Sequence, residues 1–346
     1  MAPVKHLKSD KLSDLIIQKI EQVWGESKAW PDFVEVMNRA LHGDKAEVAQ
    51  LNTKAFGLAL LPGLCCQASG GDPLWADDLA AAWHLFYAGA SLMDKVEDQD
   101  TFQEPWASRG PGVAVNAASG LFFTASLVLN NLYSHPDTQI SAQAAIDCFQ
   151  RHFLLMCSGQ HRDLTQPEPT LKQYWEIAEA KSGAFFALAC QAGARLATDD
   201  SQRLDDFNQF GVHLGVLIQV LDDLEDFQQA EDSVKELSAA RISRSLPVIY
   251  ALEVLPEPAR DELRCLLKSA SEDLANIPQV LHEIDQSGAV LYTLTEIERH
   301  RGLSLAFLEK AALEPEAKRD LTSLVEGLGR YLSGGLIVQF LIDQAH

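Results

Sequence analysis

Two long apolar runs of helical period, each ending in an acidic quintet, constrain this chain more than any other feature. HLFYAGASLM leads into Asp94-Lys95-Val96-Glu97-Asp98, and FGVHLGVLIQVL leads into Asp222-Asp223-Leu224-Glu225-Asp226. Within each quintet the first and last Asp stand four apart and a Glu stands three on, so a helix projects the carboxylates from one face. A concentrated negative face at the end of a buried helix is costly unless something cationic neutralises it. A solvated helix end is the bland alternative, but acids near a helix C-terminus oppose the dipole and need a reason. Mg²⁺ fits that need, because it takes one or two carboxylates from each element and fills its octahedron with water and substrate phosphate oxygens. The substrate expected is a diphosphate.

Helical periodicity dominates the rest of the chain, and convincing alternating strands or Asn-Gly hairpins are absent. The fold class is therefore all-α. The expected helices include Ser9 to Val23, Trp30 to Leu41, Ala46 to Ala68, Pro73 to Asp98, Val113 to Tyr133, Ser141 to Gln160, Leu171 to Leu196, Asp200 to Phe227, Lys235 to Leu255 and Ser287 to Leu313. SGGDP, SHPDT, TQPEP and LPEP separate them, with the residues that break helices. Pro62 is expected to bend or divide the third. No low-complexity linker marks a boundary, so a single helical domain over 1–346 is the expectation.

A formal net charge of -21 repels nucleic acid phosphates and anionic lipid, so a nucleic acid partner is not expected. The six cysteines show no CxxC or Cys/His metal spacing and read as buried thiols of a reducing compartment. The N-terminus MAPVKHLKSDKLSDL carries no apolar signal core, which points to a cytoplasmic protein. The apolar stretches are interrupted by Gly, His or Gln and read as too short for a transmembrane helix. His84 and His213 sit on apolar helical faces as core histidines without a partner at metal-ligand spacing. No P-loop or dinucleotide fingerprint is present.

With both quintets in their context, the chain resembles the trans-isoprenyl diphosphate synthase family, the polyprenyl synthetases, over roughly Ala46 to Ala251. ASLMDKVEDQD is similar to the family's first aspartate-rich motif and GVLIQVLDDLEDF to its second. Between them GQHRDL, from Gly159 to Leu164, resembles a GQ-x-x-DL segment, and KSGAFFALAC from Lys181 resembles KTGALF. LPVIYAL follows in the right order. The resemblance implies one large antiparallel helical bundle of the isoprenoid synthase type around a deep apolar cavity, with the two motifs facing each other across its mouth. It implies Mg²⁺, about three ions, bridging the motifs to an allylic prenyl diphosphate, and it suggests a homodimer. Ionisation leaves diphosphate, which metals and Lys stabilise, and an allylic cation, which a dry apolar cavity protects from water.

By this resemblance Asp94, Asp98, Asp222, Asp223 and Asp226 are the metal ligands, with Glu97 as a further one. Lys181 matches the diphosphate-binding Lys and Gln219 the Gln that faces the cavity; both are candidate catalytic residues, Gln219 with the alternative of a core-edge amide. Gln160 and Asp163 line the cavity or cap a helix end. Lys95 departs from the family's Asp at that position; it pairs with Asp98 or Glu97, reaches the diphosphate, or turns outward.

The chain departs further from the family at the second substrate, isopentenyl diphosphate. TKAFGLALLPG retains Lys54 but places Ala55 and Gly57 where arginines belong, QDTFQEPWASRGPG has the lone Arg109, and the loop after the second motif leaves Arg241 and Arg244. Lys54, Arg109 and Arg244 are the remaining substrate-binding candidates. An anionic second substrate with few cations is poorly held, which favours transfer of the prenyl cation to an uncharged acceptor, or its cyclisation as in class I terpene synthases. Conventional chain elongation and a noncatalytic subunit of a heteromeric synthase are the alternatives. The cavity floor falls to Gly89 and Ala90, both small, with Phe86 and Trp83 about one and two turns deeper at ~5.4 Å per turn, which suits a chain of about C15 to C20. Ordinary helix packing is the other reading of Gly89 and Ala90.

Overall fold

The computed structural model describes residues 9–42, 60–97, 109–166, 168–232 and 243–328, and every regular element among them is helical. In chain order these are α1 (Ser9–Glu26), α2 (Pro31–His42), α3 (Leu61–Ala68), α4 (Asp77–Glu97), α5 (Pro111–Leu129), α6 (Ala142–Thr165), α7 (Leu171–Ala178), α8 (Ala184–Arg195) and α9 (Ser201–Asp232), then α10 (Leu246–Val254), α11 (Glu257–Glu272), α12 (Ile277–Gln286), α13 (Ala289–Lys310) and α14 (Pro315–Gly327). A π-helical turn, Glu179–Gly183, joins α7 to α8. The all-α expectation holds.

The differences from the sequence reading have local causes. Pro62 lies in the first turn of α3, where its missing N–H costs nothing; residues 46–59 of the helix expected around it lie outside the described residues. The single helix expected from Leu171 to Leu196 is divided by the π turn. Helices α11, α12 and α14 were not anticipated; the first is rich in charge, EPARDELRCLLKSASE, and offers no long apolar run to mark it. The stretch Pro111–Tyr133, over α5 and the following turn, corrects the expectation on length: by hydropathy it is long and apolar enough to cross a membrane, with 44% of its apolar window buried. Gly120 interrupts its apolarity without lowering it, and serves packing, since a Cβ there would meet Met37 Sδ at 2.7 Å.

The chain divides into two compact units, one of residues 1–151, 188–208 and 312–318, the other of 152–187, 209–311 and 319–346. In the first, α4 and α5 pack along each other. Helix α4 is buried on nearly all sides through Leu79, Trp83, Leu85, Phe86 and Leu92, and burial ceases at the acidic end. Trp24 of α1 donates to Thr124 of α5 at 3.0 Å. At the start of α4 the buried Asp78 accepts from Lys19 at 2.7 Å and Asn131 at 3.0 Å, which satisfies a carboxylate that burial would otherwise penalise. All six cysteines are free; Cys65, Cys66 and Cys190 are buried, but Cys157 and Cys265 are exposed, against the expectation of buried thiols, because their positions fall on the outer faces of α6 and α11.

In the second unit α13 carries a buried polar stripe of Thr293, Glu296, His300 and Ser304. His300 Nδ1 lies 3.2 Å from His213 Nδ1 of α9, and His300 Nε2 lies 3.0 Å from a guanidinium nitrogen of Arg299. Arginine has no acceptor, so Nε2 of His300 accepts and its proton resides on Nδ1, facing His213. Trp175 of α7 stacks on the His300 ring at 5.6 Å. His213 is thus a partnered histidine, and its partner is 87 residues away.

Candidate active site

The second acidic motif lies near the C-terminal end of α9, and its two adjacent aspartates face different surroundings. Asp222 is exposed and Asp226 half-buried, while Asp223 is 7% exposed. About 100° of rotation per residue separates neighbours on a helix, so one faces outward and the other the interior. Tyr174 donates its hydroxyl to Asp223 Oδ2 at 2.6 Å, and the Leu246 amide donates to the same oxygen at 2.8 Å. The Gln219 amide donates to Oδ1 at 2.9 Å. Burial pushes the Asp223 carboxyl up to about 6, against the pull of these three hydrogen bonds. Asp223, expected as a metal ligand, thus has both oxygens engaged by three donors within the second unit, an arrangement that holds α9 to α7 and to the start of α10.

Lys181 sits on the π turn. Its ammonium pairs with Asp163 of α6 at 3.2 Å, both side chains about one-quarter exposed. Gly159, one turn before Asp163, lets α6 approach: a Cβ there would lie 2.8 Å from the backbone nitrogen of Lys181. Gly215 does the same on α9, where a Cβ would overlap the Ser182 carbonyl oxygen. The two glycines thus clasp the π turn from opposite helices, a geometry that π-helical turns at functional sites often serve. Ser182 donates to Gln219 Oε1 at 2.6 Å. Both ends of the Gln219 amide are therefore occupied, and it acts as the link between the Lys181 turn and Asp223. Gln160 is half-buried beside Gly159. Arg244 lies two residues before the amide that binds Asp223, so its backbone enters the same neighbourhood.

Tyr174, Ser182 and the Leu246 amide escaped the sequence reading. Tyr174 and Asp223 are 49 positions apart and Leu246 and Asp223 are 23 apart, so no local spacing signals either contact. The one available cue was the tyrosine two turns before Lys181 on an expected helix.

In the first unit Asp94, Lys95 and Glu97 are half-buried on the last turn of α4. Asp98, Lys54 and Arg241 lie outside the described residues. Of the expected floor, Trp83 and Phe86 are buried at 3% and 6% exposure, and Ala90 is half-buried. Gly89 does not open space: the Phe122 ring of α5 occupies the position a side chain would take, with a Cβ only 2.5 Å from its nearest carbon. Phe86 stacks on Phe122 at 5.3 Å and meets Phe149 edge-on at 4.9 Å. At Gly89 the bulk absent from α4 is supplied by α5. Arg109 is exposed before Gly110, whose φ is 84°. It lines a hollow of about 760 Å³ with Trp30, Asp32, Phe33 and Val36, and neither Asp94 nor Glu97 is among the lining residues.

Residues 59–284, more than half of the chain, match the polyprenyl synthetase family. The chain belongs to that family. As a polyprenyl synthetase it is 30% identical over 232 residues to a geranylgeranyl diphosphate synthase of Mycobacterium tuberculosis, covering 64% of each chain. It is 27% identical over 147 residues to the tryptophan prenyltransferase ComQ of Bacillus subtilis subsp. natto, covering 42% of this chain and 43% of that one. These alignments therefore span less than two-thirds of either relative. A solved geranylgeranyl pyrophosphate synthase of Corynebacterium glutamicum, complexed with isoprenyl diphosphate and magnesium, is similar in fold with a TM-score of 0.73 at 16% identity, over 92% of this chain and 98% of that one.

Proposed function

We propose that this polyprenyl synthetase ionises an allylic prenyl diphosphate of about C15 to C20 and transfers the prenyl cation to an uncharged acceptor or closes it on itself. The observation that carries the reading is the clasped π turn, which holds Lys181 beside Asp163 and ties it through Ser182 and Gln219 to the second acidic motif. The donor set suits Mg²⁺. Asp222 and Asp226 in the second unit, and separately Asp94 and Glu97 in the first, offer hard carboxylate oxygens in open sets of few protein ligands. Mg²⁺ favours such an open set, because it keeps waters and takes the rest of its ligands from substrate phosphates. Bound there, it would neutralise the departing diphosphate. Lys181 would exchange Asp163 for the diphosphate and stabilise the same charge. Asp223, already engaged, holds the helix end in place.

The scarcity of cations in TKAFGLALLPG and QDTFQEPWASRGPG, where Ala55 and Gly57 stand in place of arginines, supports an acceptor other than isopentenyl diphosphate. The likeness to a tryptophan prenyltransferase supports an indole as one class of uncharged acceptor. Elongation is the second reading, favoured by the likeness to a geranylgeranyl diphosphate synthase, and it would draw on Lys54, Arg109 and Arg244. We assign the exposed apolar residues of α5, among them Phe123 at 73% and Leu127 at 47% exposure, to the contact of a homodimer.

Incubation of geranyl, farnesyl and geranylgeranyl diphosphate with Mg²⁺, each with isopentenyl diphosphate, with a tryptophan-containing peptide or alone, separates these readings by product mass. Prenylated peptide, hydrocarbon or alcohol is the expected product. Longer diphosphates alone would establish elongation, and no release of diphosphate from any substrate overturns the catalytic reading.

A further inference from the structure

We infer that Tyr174 is a positioning residue for the diphosphate-binding end of the site, an inference that rests on the function proposed above. Its ring is buried, and its hydroxyl donates to Asp223 Oδ2 at 2.6 Å. Asp223 takes its other donors from Leu246 and Gln219, so Tyr174 supplies the contact that α7 makes with the acidic end of α9. The exposed Asp222 is the next residue on the same helix turn, and its direction follows from how Asp223 is held. Helix α7 runs directly into the π turn that carries Lys181 and Ser182, and Ser182 returns to Asp223 through Gln219. One hydroxyl therefore stands in a closed loop, Tyr174 to Asp223 to Gln219 to Ser182 and back along the backbone. That loop fixes the ammonium and the outward carboxylates relative to each other.

Without the hydroxyl, Asp223 loses one of three donors while remaining in the interior. A buried carboxylate so deprived turns toward solvent or draws in water, and either change redirects the face that Asp222 and Asp226 present. Neighbours that orient metal-binding carboxylates commonly carry effects of about 10- to 100-fold when removed.

The test is calorimetric titration of the full chain with inorganic pyrophosphate in the presence of Mg²⁺, followed by steady-state kinetics. Tyr174→Phe, which keeps the ring, is expected to fold with an unchanged circular dichroism spectrum, to bind Mg²⁺–pyrophosphate about 10-fold or more weakly, and to need more Mg²⁺ for half-maximal turnover. A residue serving packing alone would lower the melting temperature and leave that affinity unchanged. If Tyr174→Phe does not accumulate as folded protein, Ser182→Ala decides, because it cuts the same loop at its other side; a smaller loss of the same sign is expected. Folded Tyr174→Phe at wild-type affinity, or Ser182→Ala at wild-type affinity where it decides, overturns the inference alone. Wild-type protein that does not bind Mg²⁺–pyrophosphate overturns the functional reading on which it rests.

Discussion

At the scale of single residues, Asp222 and Asp223 show how neighbours in one motif divide their work. Asp222→Ala is expected to abolish diphosphate release and leave the melting curve unchanged, because its side chain is exposed. Asp223→Ala removes the acceptor for Tyr174, Gln219 and the Leu246 amide and is expected to cost about 2–3 kcal/mol of stability in urea denaturation. An equal stability for the two variants would contradict this division. The sequence made both legible as acids on a helix end, but it did not tell which turns inward, because the donors that hold Asp223 come from α7 and α10. Gly89 teaches the same lesson in apolar form. Its smallness was visible, and the Phe122 ring that uses the space belongs to another helix. Phe122→Ala is therefore expected to admit longer allylic substrates, read as a shift in relative kcat/KM from farnesyl toward geranylgeranyl diphosphate; unchanged selectivity would remove Phe122 from the substrate's path.

At the scale of elements, the π turn depends on two close backbone approaches. Gly215→Ala forces a methyl onto the Ser182 carbonyl, an obstacle that cannot rotate away, and is expected to cost about 3 kcal/mol together with loss of activity. Gly302→Ala in α13 meets nothing within 4 Å and is expected to gain about 1 kcal/mol from helix propensity. Denaturant midpoints of the pair check both signs at once. The segments KSGAFF and GQHRDL marked where these parts lie, and Lys181 was singled out only through the family resemblance. The turn itself was illegible, since one extra residue in a helical run leaves the apolar pattern on either side intact.

At the scale of the molecule, the helical class followed from periodicity alone, while the polar interior of the second unit did not. His300 is held down to about 3, by burial first and then by the Arg299 and His213 charges, and His213 is lowered in the same direction. Both are neutral in the folded chain where the unfolded chain takes up protons, so stability is full above pH 6.5 and falls as pH drops from there toward the folded values. For His300 the slope approaches about 1.4 kcal/mol per pH unit, and His213 adds to it in the same direction. His300→Gln is expected to flatten the melting temperature against pH between 6.5 and 4.5; a slope equal to that of the wild type would assign the acid sensitivity elsewhere. Phe123→Glu tests the homodimer proposed for α5: loss of the dimer in sedimentation is expected, since the exposed face would then carry charge, and an unchanged sedimentation coefficient would remove α5 from that contact. The indole of Trp175, finally, is the single tryptophan of the second unit, the others standing at 24, 30, 75, 83 and 106. It stacks on His300 and follows Tyr174 directly. Selective excitation of this chain with the other tryptophans replaced by phenylalanine would make that indole an optical gauge, quenched as the imidazole gains its proton and responsive to whatever settles against the helix it shares with Tyr174.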